Sequence, residues 1–286
     1  MRVTVNDNEL EVELLGPEGA PVVIACHGAP GLGSRAEPRA SFGRLADSYR
    51  VLVYDARGSG VSEGKGPFTH EQWAADVEGL REWVGAERVV LAGGSYGGFM
   101  AMEYAVRHPD RVLALVLRDT SPDNANEDMA RANALATQRV DLDLEKFGRI
   151  MDGRTRDDAD LKECWREILP RYDHVYDPAK VEEKVEATYY RYETHNWAFT
   201  ENMPRYDLKD RLPSITCPVL VTVGRDDWIT PVACSETIAR LVPHARLVVF
   251  EESGHSPQVE EAEAWTACVR GFLDEVVGAG APTGRG

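Results

Sequence analysis

A serine at position 95 lies in a run of small residues that could turn it into a nucleophile. Residues 93–97 read Gly-Gly-Ser-Tyr-Gly, which fits the G-x-S-x-G pattern of a nucleophile elbow, a tight turn between a strand and a helix. Gly93 and Gly97 would leave room for the neighbouring backbone. The helix that follows would direct its N-terminal amides at negative charge forming beside Ser95. The alternative is an ordinary glycine-rich turn with Ser95 as a helix N-cap, and the rest of the chain decides between them.

A histidine and an aspartate later in the chain supply the partners that such a serine needs. His255 follows the last predicted strand, and Asp227 follows the strand before it. In a triad with this chain order the histidine accepts the proton of the serine, while the carboxylate fixes the tautomer of the histidine. We favour Asp227 as the acid because it directly follows its strand, four residues ahead of the helix-starting Pro231. Asp226 and Asp119 stay open as alternatives, and Asp226 is expected to face solvent or the cap described below.

Two backbone amides are predicted to stabilise the oxyanion that forms when a serine attacks a carbonyl group. One belongs to Tyr96, the residue after the nucleophile. The other belongs to Ala29, in the loop that follows the strand ending at Cys26. Removing one such donor typically costs about 3 to 4 kcal/mol of transition-state stabilisation. The elbow, the triad order and this loop together indicate acyl transfer rather than an ordinary turn.

Short apolar runs alternate with helical patterns on both sides of the elbow, and these elements must position the reactive side chains. The interior runs are apolar on both faces, as in a parallel sheet covered by helices, and an antiparallel hairpin precedes them. We therefore predict an α/β fold with a mostly parallel, doubly wound sheet. Helices are predicted over 38–47, from a Thr69 capping box to Trp83, from the elbow to Pro109, from Pro231 with Thr230 as N-cap, and up to about Val277. The predicted strands span 3–5, 9–15, 21–26, 51–54, 89–92, 112–117, 218–223 and 246–250.

The composition of the sequence and its predicted secondary structure change after residue 122. Residues 123–211 are polar, helix-prone and poor in strand patterns, with aromatic residues in clusters. Because the alternation of strands and helices resumes at 218, we interpret this segment as a helical cap inserted into the core rather than as a separate helical domain in tandem. The predicted core comprises residues 1–122 and 212–277, and residues 278–286 are predicted to form a flexible tail.

The composition argues against several classes of partner. The formal net charge of −16 would repel nucleic acid and anionic lipid, and no apolar run approaches the roughly 20 residues of a membrane span. The N-terminal residues lack the apolar block of a signal peptide. Five cysteines are scattered without C-x-x-C spacing, which argues against a zinc site and a disulfide scaffold. We therefore predict a cytoplasmic protein without a metal or a cofactor, and the oligomeric state stays open.

Four segments resemble motifs of the proline iminopeptidases, a family of serine hydrolases with the alpha/beta-hydrolase fold. Residues 27–31, His-Gly-Ala-Pro-Gly, are similar to the HGGPG motif of that family, with Ala29 in place of the second glycine. Residues 55–62 resemble its DxRGxGxS segment, 93–98 its GGSYGG elbow, and 224–231 its GxxDxxxP acid loop. The resemblance implies an alpha/beta-hydrolase fold and the release of an N-terminal residue, often proline, from a peptide or amide. It also implies acidic side chains that bind the α-ammonium group of the substrate.

The chain departs from that family at two acidic positions. Where the family pattern has a glutamate directly after the catalytic aspartate, this chain has Trp228, and Ala198 occupies the acidic place in a cap segment over 196–199. Nearby acids are therefore predicted to bind the ammonium group instead, and two tryptophans to line an apolar pocket. The residues predicted to contact the substrate are Glu193, Trp197, Glu201, Asp226 and Trp228.

The resemblance and these departures predict a serine hydrolase that cleaves an aminoacyl amide through an acyl-enzyme. The tryptophans favour a bulky, apolar molecule, such as a natural-product intermediate, over a plain proline peptide, so the predicted partner is a small-molecule or short-peptide substrate. An esterase or lactonase that acts on an uncharged substrate is the second interpretation. A non-catalytic binding protein with the same fold is the third, and the complete set of triad residues argues against it.

Overall fold

Eight strands form one sheet in the computed structural model, which describes residues 1–137 and 139–278. The strands are β1 Arg2–Val5, β2 Asn8–Leu15, β3 Val22–Cys26, β4 Arg50–Tyr54, β5 Val89–Gly94, β6 Val112–Arg118, β7 Val219–Gly224 and β8 Arg246–Phe250. Their order in the sheet is β1-β2-β4-β3-β5-β6-β7-β8. Parallel neighbours in this order cannot be joined by a tight turn and require crossover connections, which the helices supply.

The direction of the strands follows the predicted pattern. β1 and β2 form an antiparallel hairpin, β2 pairs antiparallel with β4, and every pairing from β4 to β8 is parallel. The middle strands are buried along nearly their whole length, because apolar clusters lie on both faces of the sheet. This two-sided burial explains the continuous apolar runs in the sequence. The predicted α/β fold with a mostly parallel, doubly wound sheet is confirmed.

Eleven α-helices accompany the sheet within the described residues. They are α1 Ala36–Ser41, α2 His70–Trp83, α3 Tyr96–Arg107, α4 Asn126–Ala136, α5 Leu144–Met151, α6 Asp158–Ile168, α7 Pro178–Ala187, α8 Tyr192–Trp197, α9 Val232–Leu241, α10 Pro257–Glu260 and α11 Ala262–Val276. Short 3-10 turns lie at Phe42–Leu45, Pro109–Arg111, Leu169–Arg171, Met203–Arg205 and Leu212–Ser214, and a π turn at Ala198–Asn202. The apolar faces of α2 and α3 cover one side of the sheet, and that of α11 covers the other.

One helix differs from its predicted bounds, and the final helix, for which only an end near Val277 was predicted, follows a shorter one. The helix predicted over 38–47 begins at Ala36 and changes to a 3-10 turn after Ser41. Glu261 separates this shorter helix, α10, from α11. The carboxylate of Glu261 accepts hydrogen bonds from the Ser253 hydroxyl at 2.7 Å and the Glu252 amide at 3.1 Å. These bonds tie the residue to the preceding loop, where its backbone is not helical.

The two predicted helix caps have different outcomes. Thr69 Oγ1 accepts a hydrogen bond from the Gln72 amide at 3.1 Å, as a capping residue should, although the Gln72 side chain bonds elsewhere in α2. The cap predicted at Thr230 is wrong, because Pro231 is the N-cap residue of α9. The Thr230 hydroxyl instead donates to Asp227 Oδ2 at 2.7 Å. A residue that was predicted to cap a helix therefore donates a hydrogen bond to the neighbouring carboxylate of Asp227 instead.

Helices α4 to α8 all lie between β6 and β7 in the sequence, in the segment that we interpret as the cap. α4, α5 and α6 pack around an apolar cluster that also includes Leu32 and Trp228 from loops of the core. The division between core and cap, at 122/123 and 211/212, remains a prediction. The predicted tail over 278–286 lies, from residue 279 onward, outside the described residues. Among the helices of the described ranges, none combines the length and the apolar character of a membrane span.

Candidate active site

The topology of the sheet brings three distant residues to one edge. β5, β6, β7 and β8 are neighbours and run parallel, so their carboxyl ends lie on the same side of the sheet. Ser95 follows β5, Asp227 lies in the loop after β7, and His255 lies in the loop after β8. The residues predicted to form a triad therefore stand at the edge where open α/β sheets bind their ligands.

Ser95 has the strained backbone of a nucleophile elbow. Its φ of 54° and ψ of −127° lie outside the regions that ordinary residues occupy, and α3 begins directly after it. Two glycines make this turn possible. A Cβ atom on Gly93 would overlap the carbonyl group of Gly97, and one on Gly97 would overlap the backbone at the end of β3. Larger residues at these two positions are therefore incompatible with the turn.

Asp227 and His255 form a buried, hydrogen-bonded pair. His255 Nδ1 lies 2.9 Å from Asp227 Oδ2, and both side chains are almost fully buried. The same carboxylate accepts hydrogen bonds from the amides of Ile229 and Thr230, at 2.9 and 3.1 Å, and from the Thr230 hydroxyl at 2.7 Å. Because an ionised carboxylate only accepts hydrogen bonds, the contact places the proton of a neutral imidazole on Nδ1. Nε2 is then left as the base.

The charges of this pair reinforce each other. Burial alone would raise the pKa of Asp227, but the facing His255 and the hydrogen bonds to the carboxylate outweigh burial, so the pKa lies below its usual value. Burial likewise acts to lower the pKa of His255, and the charge and hydrogen bond of Asp227 outweigh it, so that pKa is raised. A more basic His255 is better suited to take a proton from a serine hydroxyl.

The contact between nucleophile and base is not formed in the described structure. The side-chain hydrogen bonds of His255 run from Nδ1 to Asp227 and, at 3.5 Å, to the Thr230 hydroxyl, and Ser95 Oγ is not among these partners. Hydrogen bonds between a serine and its general base often tighten only in the complex with substrate. The position of Ser95 at the shared sheet edge, rather than a bond to His255, therefore supports its assignment.

The loop after β3 brings Ala29 beside the nucleophile. A Cβ atom on Gly28 would lie 3.7 Å from that of Ser95, and Ala29, Ser95 and Tyr96 line the same cavity. His27 holds the loop in place, since its Nε2 accepts a 2.9 Å hydrogen bond from a backbone amide after β4. Tyr96 is the first residue of α3, and the amide of a first helical residue has no acceptor in its own helix. Both amides thus belong to residues beside Ser95, and their binding of an oxyanion stays a prediction.

The two other candidate acids occupy different environments. Asp226 is half-exposed, and its carboxylate lies 2.6 Å from His174 Nδ1 of the cap. Asp119 follows β6, is fully buried and accepts a 2.9 Å hydrogen bond from the last amide of β7. Its carboxylate, that of Asp227 and the ring of His255 have polar atoms within 4.8 Å of one another. Of the three aspartates, Asp227 is the one in hydrogen-bond contact with His255.

Ser95 lines a small cavity under the cap, with a volume of about 50 Å³. Most of the wall is apolar and comes from the loop after β3, from α3 and from the cap. Four residues of the wall carry buried polar atoms without a hydrogen-bond partner among the described residues: Asn126 Oδ1, Glu127 Oε1, Trp165 Nε1 and His195 Nδ1. A mostly apolar wall with a few unpaired polar atoms is typical of a ligand site.

The two tryptophans predicted to line an apolar pocket lie elsewhere. Trp228 is buried and packs against Phe147 and Tyr172, with ring centroids 6.3 and 5.7 Å away. Trp197, at the end of α8, is 46% exposed. Neither belongs to the wall of the cavity in the part of the chain that the structure describes. The indole of the wall is Trp165, from α6 of the cap.

The three acids predicted to bind an ammonium group also lie outside this wall, as far as the structure describes it. Glu193 is exposed on α8. Glu201 pairs with Arg205 at 3.2 Å, and Asp226 pairs with His174. These carboxylates are solvated or paired where they stand, so none of them is placed to meet a group bound at the nucleophile.

The acid of the described wall is Glu127, in the first turn of α4. Burial raises the pKa of this carboxyl to about 7; Arg131 opposes the shift, while Asp128 and Asp152 support it. No sequence signal pointed to this role, because an acid in the first turn of a helix is also what the helix dipole favours. Only the packing of α4 over Ser95 distinguishes Glu127 from other acids of the cap.

His195 is a second polar residue of the wall that the sequence did not single out. It is fully buried and stacks on Phe199, with ring centroids 4.5 Å apart. Burial lowers the pKa of His195 to about 4, so the imidazole is neutral at physiological pH. A neutral ring offers one donor and one acceptor, and its Nδ1 is buried without a partner in the described chain.

Comparisons with known proteins agree with this fold. A family model described as alpha/beta hydrolase fold matches residues 21–262. The proline iminopeptidase PfmaB of Pestalotiopsis fici is 32% identical over 281 residues, which cover 96% of this chain and 99% of the relative. A 2-hydroxymuconate semialdehyde hydrolase of Pseudomonas putida is 29% identical and covers 90% of this chain and 88% of its own.

Two solved structures extend the comparison. A thermophilic esterase from Thermogutta terrifontis superimposes with a TM-score of 0.76 at 29% identity, covering 96% of this chain and 98% of its own. The enol-lactonase from Burkholderia xenovorans LB400 has a TM-score of 0.78 at 26% identity and covers 96% and 99% of the two chains. The names of these relatives refer to different substrates, so the likeness defines a family and a fold rather than one substrate.

Proposed function

The chain belongs to the alpha/beta hydrolase fold family, and on this basis we propose that it is a serine hydrolase with Ser95 as nucleophile, His255 as base and Asp227 as acid. The observation that carries the proposal is the buried His255–Asp227 pair at the same sheet edge as a strained Ser95. A turn that merely joined a strand to a helix would not need a serine with a φ of 54°.

In the proposed reaction, Ser95 Oγ attacks the carbonyl carbon of the substrate while His255 Nε2 takes its proton. The amides of Ala29 and Tyr96 bind the oxyanion of the tetrahedral intermediate. His255 then gives the proton to the leaving group, which departs and leaves the acyl group on Ser95. A water molecule that His255 deprotonates hydrolyses this acyl-enzyme and restores the serine. In both steps Asp227 orients the ring and stabilises the imidazolium.

The proposed substrate is an amide with a free amino terminus, as the name of the 32% identical relative suggests. Glu127 supports this choice, because its buried Oε1 has no partner in the described chain and lies in the wall of the cavity. A bound ammonium group would hold the carboxylate ionised and compensate its burial. Asn126 Oδ1 offers a further acceptor, and His195 Nδ1 offers another in the tautomer that carries its proton on Nε2. Glu127 thus takes the role that the sequence suggested for other acids of the chain.

The rest of the wall favours an apolar acyl side chain. Ile150, Met151 and Ile168 of the cap face the cavity together with Phe99 and Phe199. A cavity of about 50 Å³ suits a small acyl group. A bulkier apolar part of the substrate, such as that of a natural-product intermediate, would therefore stand on the leaving-group side.

An esterase or lactonase is the second candidate. The observation that favours it is the raised pKa of Glu127, about 7, because a protonated carboxyl is a neutral hydrogen-bond donor that requires no cation in the substrate. The similar solved structures include an esterase and an enol-lactonase. The two candidate functions share the triad and differ in whether Glu127 contacts a cationic or an uncharged group of the substrate.

Ser95→Ala should abolish labelling by a fluorophosphonate probe and lower kcat by about 10⁶-fold, because no other group replaces the nucleophile. Intact-protein mass spectrometry measures the adduct, and peptide mapping of the wild type should locate it on Ser95. Equal labelling of both proteins would contradict the assignment. A folded wild type that takes no label would favour the non-catalytic binding protein.

N-acetylation of an aminoacyl p-nitroanilide should lower kcat/KM by about tenfold or more, equivalent to about 1.4 kcal/mol, because it removes the cation that Glu127 would bind. Glu127→Gln keeps the shape of the side chain and should erase most of this difference. Glu193→Gln, Glu201→Gln and Asp226→Asn are the matched variants, and each should retain the preference for the free amine. Loss of the preference in one of these three would refute the role of Glu127. Equal turnover of both substrates by the wild type would select the esterase or lactonase instead.

A further inference from the structure

The residues that follow β6 stand between the nucleophile and the acid loop, because β6 lies between β5 and β7 in the sheet. The Ser95 amide donates to Arg118 O at 2.9 Å, and Thr120 Oγ1 donates to Ser95 O at 2.8 Å. Arg118 Nη1 donates to His255 O at 3.1 Å. The segment 118–120 therefore contacts the backbone of both the nucleophile and the base.

Asp119, the central residue of this segment, adds a buried carboxyl that the proposed reaction has not used. One of its carboxylate oxygens lies within 4.8 Å of a carboxylate oxygen of Asp227 and of a ring nitrogen of His255. Asp119 Oδ1 accepts a hydrogen bond from the Gly224 amide at 2.9 Å. The residue has a φ of 45°, which is uncommon for a residue other than glycine. Such a conformation persists where the surroundings hold it, and it is concentrated at functional sites.

We propose that Asp119 is a positioning residue of the triad, which shares with Asp227 the task of holding and stabilising the His255 imidazolium. The inference rests on the proposed serine hydrolase function. When His255 takes the proton of Ser95, the ring becomes a cation, and two nearby carboxyls stabilise it better than one. When Asp227 is made neutral, Asp119 remains as a carboxylate within reach of the ring.

The groups around Asp119 set its charge. Burial and the charge of Asp227 raise the pKa of Asp119 to about 7, while Arg118 and His255 act to lower it. Glu37 of α1 forms a 3.0 Å ion pair with Arg118. Asp119 in turn acts to raise the pKa of His255. Asp119 and His255 are therefore expected to titrate as a coupled pair rather than independently.

Asp119→Asn tests the inference, because asparagine tolerates a positive φ and its Oδ1 can still accept the Gly224 amide. The measurement is the rate constant for phosphonylation of Ser95 by a fluorophosphonate as a function of pH. His255 must be neutral to activate Ser95, so the rate rises as the pH passes its pKa. Loss of the Asp119 charge should move this rise to lower pH by at least about half a unit. A purely structural role would lower the melting temperature without moving the profile.

Asp227→Asn alone and combined with Asp119→Asn tests the sharing directly. The double variant should be labelled at least about tenfold more slowly than Asp227→Asn. Asp119 is the carboxylate that remains near the ring in Asp227→Asn, so removing it there should have a larger effect than removing it from the wild type. A pH profile of Asp119→Asn that coincides with the wild type, or equal rates for the double variant and Asp227→Asn, would overturn the inference. A wild type without label on Ser95 would overturn the proposed function, and the inference with it. If Asp119→Asn does not fold, Asp119→Gly, which suits this φ, provides the same comparison.

Discussion

The carboxyl edge of the sheet and the cap wall above it differ in how their polar groups are satisfied. At the edge, the Asp227 carboxylate accepts from two amides and a hydroxyl and contacts His255. In the wall, Glu127 Oε1 and His195 Nδ1 are buried without partners among the described residues. A group that is already satisfied can be held in one geometry before the substrate arrives. A group that lacks a partner gains one when a ligand supplies it.

This difference separates two tasks. Under the proposed function, the edge would carry out the reaction, with its groups held by the sheet and by hydrogen bonds to the backbone. Under the same proposal, the wall would recognise the substrate, since its unpaired polar atoms gain a partner from a complementary ligand. Relatives named as iminopeptidase, esterase and lactonase fit this separation, because a family can keep the edge and vary the wall.

After removal of the nucleophile itself, Asp227→Asn should have the largest effect on kcat, and it tests the edge. An amide in place of the carboxylate favours the wrong tautomer of His255, so we expect kcat to fall by about 10³- to 10⁴-fold with little change in KM. Steady-state kinetics with the best substrate of a chromogenic ester and amide panel measure both constants. Asp119→Asn is the comparison from the same edge and should cost much less. If Asp119→Asn is crippling and Asp227→Asn is mild, the acid has been assigned to the wrong residue.

The sequence was sufficient to predict that Ser95, Asp227 and His255 lie at one edge of the sheet, because its signals there are local. The glycines around Ser95 mark one strained turn, and the loops after β7 and β8 follow directly from apolar runs. Parallel strands then bring these loops together whatever the details of packing. The Thr230 hydroxyl is the exception. A threonine before a proline predicts a helix cap, whereas its hydrogen bond to Asp227 depends on the conformation of the folded loop.

The sequence was insufficient for the wall because helix orientation is not local. Glu127, Glu193 and Glu201 all lie in helical segments of the cap, and nothing in their immediate neighbours separates them. Which of them faces Ser95 depends on how α4 and α8 pack over the core. The same reason explains Trp228: it directly follows the acid in sequence, yet its ring packs against Phe147 rather than lining the cavity.

Gly31→Ala would test how firmly the cap is seated on the core. Gly31 has a φ of +77°, its carbonyl accepts the Arg191 amide at 2.8 Å, and a Cβ atom there would overlap the Arg191 carbonyl. We expect a loss of about 2 to 4 kcal/mol in the free energy of unfolding, from backbone strain plus this overlap, and a raised KM. Urea denaturation and steady-state kinetics measure the two effects.

Gly19→Ala is the matched control for this substitution. Gly19 has a similar φ of +82°, but a Cβ atom there would meet nothing within 4 Å. It should cost only the backbone strain, about 1 to 2 kcal/mol, and leave KM unchanged. The difference between the two variants isolates the contact between core and cap. Equal losses would mean that the cap segment moves aside freely, and a wall that moves freely could not select a substrate.

The two regions should also differ in how their carboxyl groups make the free energy of unfolding depend on pH, with opposite signs for Asp227 and Glu127. The pKa of Asp227 is lowered in the folded protein, so its stabilising contribution is present above its usual pKa and is lost as the pH falls through the folded value. The pKa of Glu127 is raised from 4.5 to about 7. Its contribution is therefore fully present below pH 4.5 and is lost as the pH rises through 7.

Glu127→Gln should consequently stabilise the protein at pH 8 but not at pH 4, since glutamine resembles the protonated acid at every pH. Glu127 as a whole residue is only partly buried, so after discounting for solvent we expect a gain of the order of 1 kcal/mol, or about 2 to 4 °C in Tm. Thermal melts of variant and wild type across this range measure the difference, and other titrating groups cancel in the subtraction. Glu193→Gln, at an exposed position, should show no such trend. A cationic substrate analogue should stabilise the wild type more than Glu127→Gln at pH 8, because the ammonium supplies the partner that the carboxylate lacks. If Glu127→Gln gains nothing at pH 8, the wall satisfies its carboxylate as well as the edge does, and recognition of a cation by Glu127 loses its physical basis.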